Sequence, residues 1–188
     1  MPLTKIQSLG ITDGTIVNAD INASAAIAAS KLSGVGKVLQ VVSTTKTDTF
    51  SGSVTATTVA EPTGYSVSIT PSSASNKILV MANFNCGVQT GSEINAVLIR
   101  SSTNIFIGDA AGNRQRRTVH RDSTPTSDAR NTTIVFLDSP NTTSATTYSV
   151  GIGSDQSNTI YLNRSHDDQN NDYQNRSASS ITVMEIAS

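Results

Sequence analysis

Residues 77–88 read KILVMANFNCGV, and this run admits one regular backbone. Ile78, Val80, Ala82, Phe84 and Cys86 recur at every second position, while Asn83 and Asn85 fall on the opposite set. A period of two turns one face to a core and the other to water, as in a half-buried strand; a helix would need steps of three and four. The even-numbered face is the predicted core. Shorter runs of the same kind surround it. VLQVVSTTKT at 38–47 opens the series, and a weaker Thr-rich run at 49–60 ends at Glu61-Pro62-Thr63-Gly64. Tyr65, Val67 and Ile69 then alternate with Ser66, Ser68 and Thr70, stopped by Pro71. Residues 94–100, 104–107 and 132–137 are apolar on both sides, the pattern of central strands or of strands sealed by a neighbouring subunit. Tyr148, Val150 and Ile152 face away from Ser149, Gly151 and Gly153, a nearly bare face that another backbone or a partner can approach closely. Ile160 and Leu162 follow, and ITVMEIA at 181–187 closes the chain as a strand.

Eight to ten strands and no convincing helix after residue 36 predict an all-β chain, a jelly-roll-like β-sandwich spanning 37–188. Roughly 150 residues are enough to bury a core of their own. Two polar excursions interrupt the strands, at 108–128 and 164–179. Long loops on a rigid sandwich are where binding residues collect.

The first 36 residues follow another rule. Ile6, Ile11, Ile16 and Ile21 stand five apart, and Ile27 and Leu32 repeat that step. Small turn-forming residues lie between them, such as Thr12-Asp13-Gly14-Thr15 and Asn18-Ala19-Asp20. The spacing suits neither lone helix nor lone strand; it suits a slim stalk or docking arm whose turns return the apolar residues to one line. A single thin chain has nothing to cover that line, whereas burying each Ile is worth about 1.5–3 kcal/mol. Other copies of the stretch are the cheapest cover, so these six residues are the predicted trimerisation and docking positions. The competing reading is a flexible, low-complexity leader, which has no need of evenly spaced Ile. Gly34 and Gly36 mark the boundary.

The totals exclude several classes of function. Of 188 residues 14% are charged and 4% aromatic, with no Trp and a net charge of −1, so there is no electrostatic footprint for nucleic acid or an anionic membrane. No run approaches the roughly 20 apolar residues of a membrane span. The start, MPLTKIQSLG, lacks the apolar centre of a secretory signal, which predicts assembly in the cytoplasm of the cell that makes it. Cys86 is alone among apolar neighbours and reads as a buried, inert thiol. Four matches to the glycosylation acceptor pattern, at Asn131, Asn141, Asn163 and Asn175, read as incidental in a chain so rich in Asn, Ser and Thr.

No catalytic constellation emerges, and the expectation is a non-enzyme with no cofactor and no metal. His120 and His166 lie in polar loops without a GxSxG, HExxH or phosphate-loop pattern. SHDDQNNDY at 165–173 departs from the regular spacing of a calcium loop and reads as solvated. The one charge cluster is Arg114, Arg116, Arg117, His120 and Arg121. Guanidinium groups pair bidentately with carboxylate or phosphate, so these arginines are candidate receptor contacts; solvated or subunit-paired arginines are the plainer alternative. Tyr173, amid Asn and Asp, is a candidate platform for a sugar ring.

DGTIVNADINASAAIAASKL resembles the short repeats near the start of tail-fibre and other virion proteins of tailed bacteriophages. KVLQVVSTTKTDTFS, YSVSITPSSASNKILVMANF and SSITVMEIAS resemble the β-rich head that follows such repeats, especially in phages of marine bacteria. The resemblance implies a virion structural protein whose head is similar to the trimeric jelly rolls of tumour-necrosis-factor or C1q shape, with no catalytic residue to carry over. Its implied partners are two further copies of itself, other virion proteins of the tail or capsid, and a host-surface glycan or protein. Only about 35 residues precede the head, which favours a short fibre, a tip or a capsid knob over a long fibre. A trimeric short fibre or tail-fibre component for host attachment is the expectation. A capsid decoration or head fibre, and a polysaccharide-degrading tailspike, are the alternatives.

Overall fold

Strict alternation at 77–88 becomes the longest strand of a two-sheet sandwich. The computed structural model describes residues 37–89, 91–122 and 128–188, so Ile6, Ile11, Ile16, Ile21, Ile27 and Leu32 lie outside the described residues. In chain order the strands are β1 (Val38–Lys46), β2 (Phe50–Val54), β3 (Val59–Ala60), β4 (Ser66–Ile69), β5 (Lys77–Gly87) and β6 (Ile94–Arg100). They continue as β7 (Thr103–Ile105), β8 (Val119–Arg121), β9 (Arg130–Asp138), β10 (Thr146–Ser154), β11 (Asn158–Leu162) and β12 (Ser179–Ile186). The described residues contain no helix.

All pairings are antiparallel. The first sheet runs β1-β12-β5-β9, with the antiparallel pair β2 and β11 continuing it past the end of β12, where β11 meets β5 at Cys86 and Gly87. The second runs from β3 and β4 through β10 and β6 to β7 and β8. The chain crosses between sheets at β2 to β3, β4 to β5, β5 to β6, β8 to β9, β9 to β10 and β10 to β11. The last strand returns between the first and β5. This is jelly-roll order, as the strand count and patterning predict.

Ile78, Val80, Ala82, Phe84 and Cys86 point inward from β5, as their spacing requires. Tyr148, Val150 and Ile152 of β10 and Ile94, Ala96 and Leu98 of β6 complete the core from the second sheet. Buried polar groups cross it only where they are satisfied. Tyr65 donates to the carbonyls of Asn83 and Ser180, each at 3.0 Å. Arg100 and Tyr148 converge on Asp138 at 2.9 and 2.7 Å, tying the second sheet to β9 of the first. Burial, then the Asp138 contact, pushes the Tyr148 phenol up from its ordinary pKa. Cys86 is buried and its thiol is likewise pushed up by desolvation.

Three details differ from the sequence pattern. The Thr-rich run at 49–60 breaks into β2 and β3 because Thr55 and Thr58 close a turn, Thr58 N–H on Thr55 O at 3.2 Å and Thr55 N–H on Thr58 Oγ1 at 2.8 Å. The apolar run at 104–107 stops at Ile105, since Phe106 takes a left-handed φ of 52° and turns out to stack on Phe136. The excursion at 108–128 contains β8, which resumes the edge beside β6 that β7 began. The bare face of β10 is occupied by this same chain: a Cβ on Gly151 would stand 2.6 Å from Val59 Cγ2, and one on Gly153 2.8 Å from Thr58 O. Those glycines let β3 lie against β10.

Glu185 is fully buried on β12 and fastens the end of the sandwich at which the chain enters it. It accepts from Ser72 N–H and Ser72 Oγ at 2.7 Å each, and from Asn76 Nδ2 and Gln40 Nε2 at 2.6 Å each. Burial by itself would raise the carboxyl; the donors of Asn76, Gln40 and Ser72 outweigh it and hold the pKa at about 2. A folded-state pKa below the ordinary 4.5 means the contribution is full above that value and fades as pH falls toward about 2. Glu185→Gln is expected to cost about 2–3 kcal/mol at neutral pH. Urea denaturation at a series of pH values should show the gap between the two proteins narrowing steadily below pH 4.5; a constant gap contradicts the assignment.

Candidate functional site

Strand register divides the sandwich into two poles. Val38 pairs with Ile186, Ile186 with Lys77, and Ile78 with Asp138, so the chain enters at the pole that also holds the Glu185 and Asp138 networks. Lys46 pairs with Ser179 and Cys86 with Arg130 at the opposite end. Arg121 beside Ile94 and Val59 beside Gly153 belong to that far pole in the second sheet. Connections 55–58, 155–157 and 163–178 gather there as well, with residues 108–117 alongside.

At the far pole lies a cleft of about 560 Å³ lined by Ala56, Asn95, Gly108, Asp109, residues 114–117, His120 and Asp155. Each arginine in it is aimed by the chain itself. Arg116 Nε donates to Gly108 O at 2.6 Å and Arg114 Nη1 to Ala111 O at 3.3 Å. Arg117 Nε donates to Asn95 Oδ1 at 2.9 Å and its Nη2 to Thr57 O at 3.3 Å. Desolvation draws Arg117 below its ordinary pKa. None of the three makes an ion pair with a described residue. Asp155 is held by Glu93 N–H at 2.7 Å and by Ser154 Oγ at 3.1 Å. Burial pushes its carboxyl up, but the hydrogen bonds from Glu93, Gln156 and Ser154 prevail and keep it below the ordinary value.

Two of the sequence-predicted contacts stand elsewhere. Arg121 reaches Asn131 O and Thr132 Oγ1, stitching β8 to β9 outside the cleft. Tyr173 is 67% exposed and lines a separate hollow of about 130 Å³ with Asn85, Asp128, Ser165, Asn175 and Ser177. His120 pairs with Glu93 at 3.0 Å and His166 with Asp167 at 3.0 Å. The Asp168 carboxylate is taken by Arg164 and Arg176, and no cluster of potential metal ligands occurs among the described residues. Asn163 is fully buried, its Nδ2 donating to the carbonyls of Lys46 and Asp48, so the acceptor pattern there is structural. Asn95 and Asp155 were not singled out from sequence. Asn95 sits in a run that reads as wholly apolar, and Asp155 is a lone acid in a tight connection.

A second feature emerges on the outer face of the first sheet. Val41 pairs with Met184, Met184 with Leu79 and Leu79 with Leu137, an apolar row across all four strands. Met81 beside Val135 extends it, and Leu39 and Ile186 adjoin it where the chain enters. Val41 and Val135 are each 55% exposed and Leu137 51%. Toward the far pole the same face turns polar, with Asn83, Asn85, Asn131 and Thr133 hydrogen-bonded to one another.

No protein-family model matches the chain, and no curated protein matches it. Among solved structures it is similar to a chain of the infectious bursal virus derived T=1 particles, at 10% identity and a TM-score of 0.42. That alignment covers 78% of this chain and 37% of the other. The structure of infectious bursal disease virus Gx strain aligns at 10% identity over 80% of this chain and 38% of that one, with a TM-score of 0.40. The VP2 subviral particle of the same virus aligns at 11% over 78% and 39%, with a TM-score of 0.35. The chain thus spans well under half the length of each.

The hydrogen bonds separate a structural arginine from an available one. Arg117→Ala is expected to strip the partner from the Asn95 amide oxygen and to cost about 1–2 kcal/mol in urea denaturation. Arg116→Ala, whose side chain is exposed and bonds one loop carbonyl, should stay within about 0.5 kcal/mol of the parent. Equal losses would show that the two arginines do the same job.

Proposed function

We propose that this protein is a non-enzymatic structural component of a bacteriophage virion, a homotrimeric short fibre or tail-fibre piece. Residues 1–36 attach it to the particle, and the far pole of the β-sandwich meets the host surface. The observation that carries this reading is the apolar row Val41, Met184, Leu79 and Leu137 on the outside of the first sheet. A face of this kind in water asks for a partner. The most exposed members sit on the two edge strands, Val41 on β1 and Val135 and Leu137 on β9. A closed ring uses both edges, one subunit's β1 side meeting the next subunit's β9 side, whereas a two-fold pair would use one self-complementary patch. Burying each exposed side chain is worth about 1.5–3 kcal/mol.

Polarity along the sandwich supports the same reading. The chain enters at Lys37 beside the apolar end of that face, while the Arg-lined cleft and the Tyr173 hollow lie at the opposite pole. The resemblance of residues 13–32 to phage fibre repeats supplies the particle, and the evenly spaced Ile supply the junction. Three heads on one stem gain from multivalency, so each site can bind weakly.

Val41→Lys combined with Leu137→Lys tests the carrying observation, because both side chains are exposed and the substitutions leave the core intact. Sedimentation velocity is expected to show loss of association between heads, with an unaltered β-type circular dichroism spectrum. An unchanged assembly would remove the row from the interface. Antibody labelling of whole particles is expected to mark the tail; copies spread over the shell would replace the fibre by a capsid decoration.

A further inference from the structure

We propose that the far-pole cleft binds a carboxylated sugar, a uronic acid unit of an acidic polysaccharide. This rests on the attachment reading above and names what the attachment site takes. Charge balance comes first. Three guanidiniums, Arg114, Arg116 and Arg117, line the cleft with two carboxylates, Asp109 and Asp155, an excess of one positive charge beside the His120–Glu93 pair. That balance suits a single carboxylate; a dianion such as a phosphate monoester would meet the same two aspartates with one charge too many.

Donor geometry comes second. Arg116 spends only Nε, on Gly108 O, so both terminal nitrogens stay available to grip a carboxylate side by side. Arg114 spends only Nη1, on Ala111 O. Because these bonds run to backbone carbonyls, the guanidiniums are partly oriented before a ligand arrives, which lowers the ordering cost of binding.

Hydroxyl recognition comes third. Asn95 is 96% buried by its 4% exposure, and Arg117 takes its Oδ1. This fixes the amide with Nδ2 as a donor that has no acceptor among the described residues. Asp155, kept ionised by its three neighbours, is an acceptor on the same wall. A donor amide and an acceptor carboxylate beside two available guanidiniums match a ring that carries both hydroxyls and a carboxylate. No Phe, Tyr or Trp lines the cleft, so it lacks the broad stacking platform that favours a neutral sugar or a nucleobase. The volume of about 560 Å³ accommodates one or two sugar rings.

The test uses the full chain, with calorimetric titration and saturation-transfer NMR against tetramers of galacturonate, mannuronate and hyaluronan. Maltotetraose serves as the neutral sugar, and inorganic phosphate and sulfate as the simple anions. At least one uronate tetramer is expected to bind with a Kd of about 1 mM or tighter, and at least tenfold more tightly than maltotetraose or either anion. Arg116→Gln should weaken that binding tenfold or more. Arg116→Lys, which keeps the charge but loses the fork, should recover only part of it. Lys77→Gln, at the other pole, should change nothing. Each variant is checked for an unchanged melting temperature. Binding of no uronate, equal binding of maltotetraose, phosphate or sulfate, or indifference to both Arg116 variants would each overturn the proposal. Because the sugars are free in solution, such a failure is distinct from failure to find trimers or particle-bound protein.

Discussion

β5 is apolar on both faces over its first half, and the rest of the molecule answers to that. Inward, Ile78, Val80 and Ala82 are sealed by the second sheet. Outward, Leu79 and Met81 meet only their sheet neighbours, Met184 and Thr182 on one side and Leu137 and Val135 on the other. A sheet that needed only one core would carry polar residues on its outer face, and this sheet does so in its second half, at Asn83 and Asn85. The change along a single strand from apolar to amide-bearing positions separates an uncovered apolar surface from one suited to water.

The buried polar networks make the two ends unequal. Glu185 with its donors and Asp138 with Arg100 and Tyr148 lock strands from both sheets at the pole where the chain enters. Each is fully hydrogen-bonded, so it orders the strands without leaving an orphaned charge. The far pole carries the long connections instead. Asn163 anchors one of them by bonding Lys46 and Asp48 carbonyls and accepting from Ser179. The cleft beside β6 takes Asn95 and His120 from strands and the rest of its lining from loops.

Much of this was legible in the chain. Alternation located β4, β5 and β10, and short apolar runs located β1, β6, β9, β11 and β12, because both are local properties. Edges were harder. β8 is Val119-His120-Arg121 inside a polar excursion, and only its register with Ala96, Asn95 and Ile94 makes it a strand. Residues 132–137 showed apolar character on both sides, which allowed either a central strand or one sealed by a neighbour; β9 pairs with β5 alone, so its outer residues meet water in the single chain. The basic cluster was visible, but its division was not. Whether an arginine braces the fold, as Arg117 and Arg121 do, or faces a cleft, as Arg116 does, depends on atoms supplied by residues 8 to 60 positions away.

The proposed association of heads rests on Val41, Leu79, Val135 and Leu137 sharing the outer face of the first sheet. Sedimentation equilibrium of the intact chain measures that most directly. The account predicts a single species of three times the 19.6 kDa chain mass. A stable species of 19.6 kDa across the whole concentration range would contradict it.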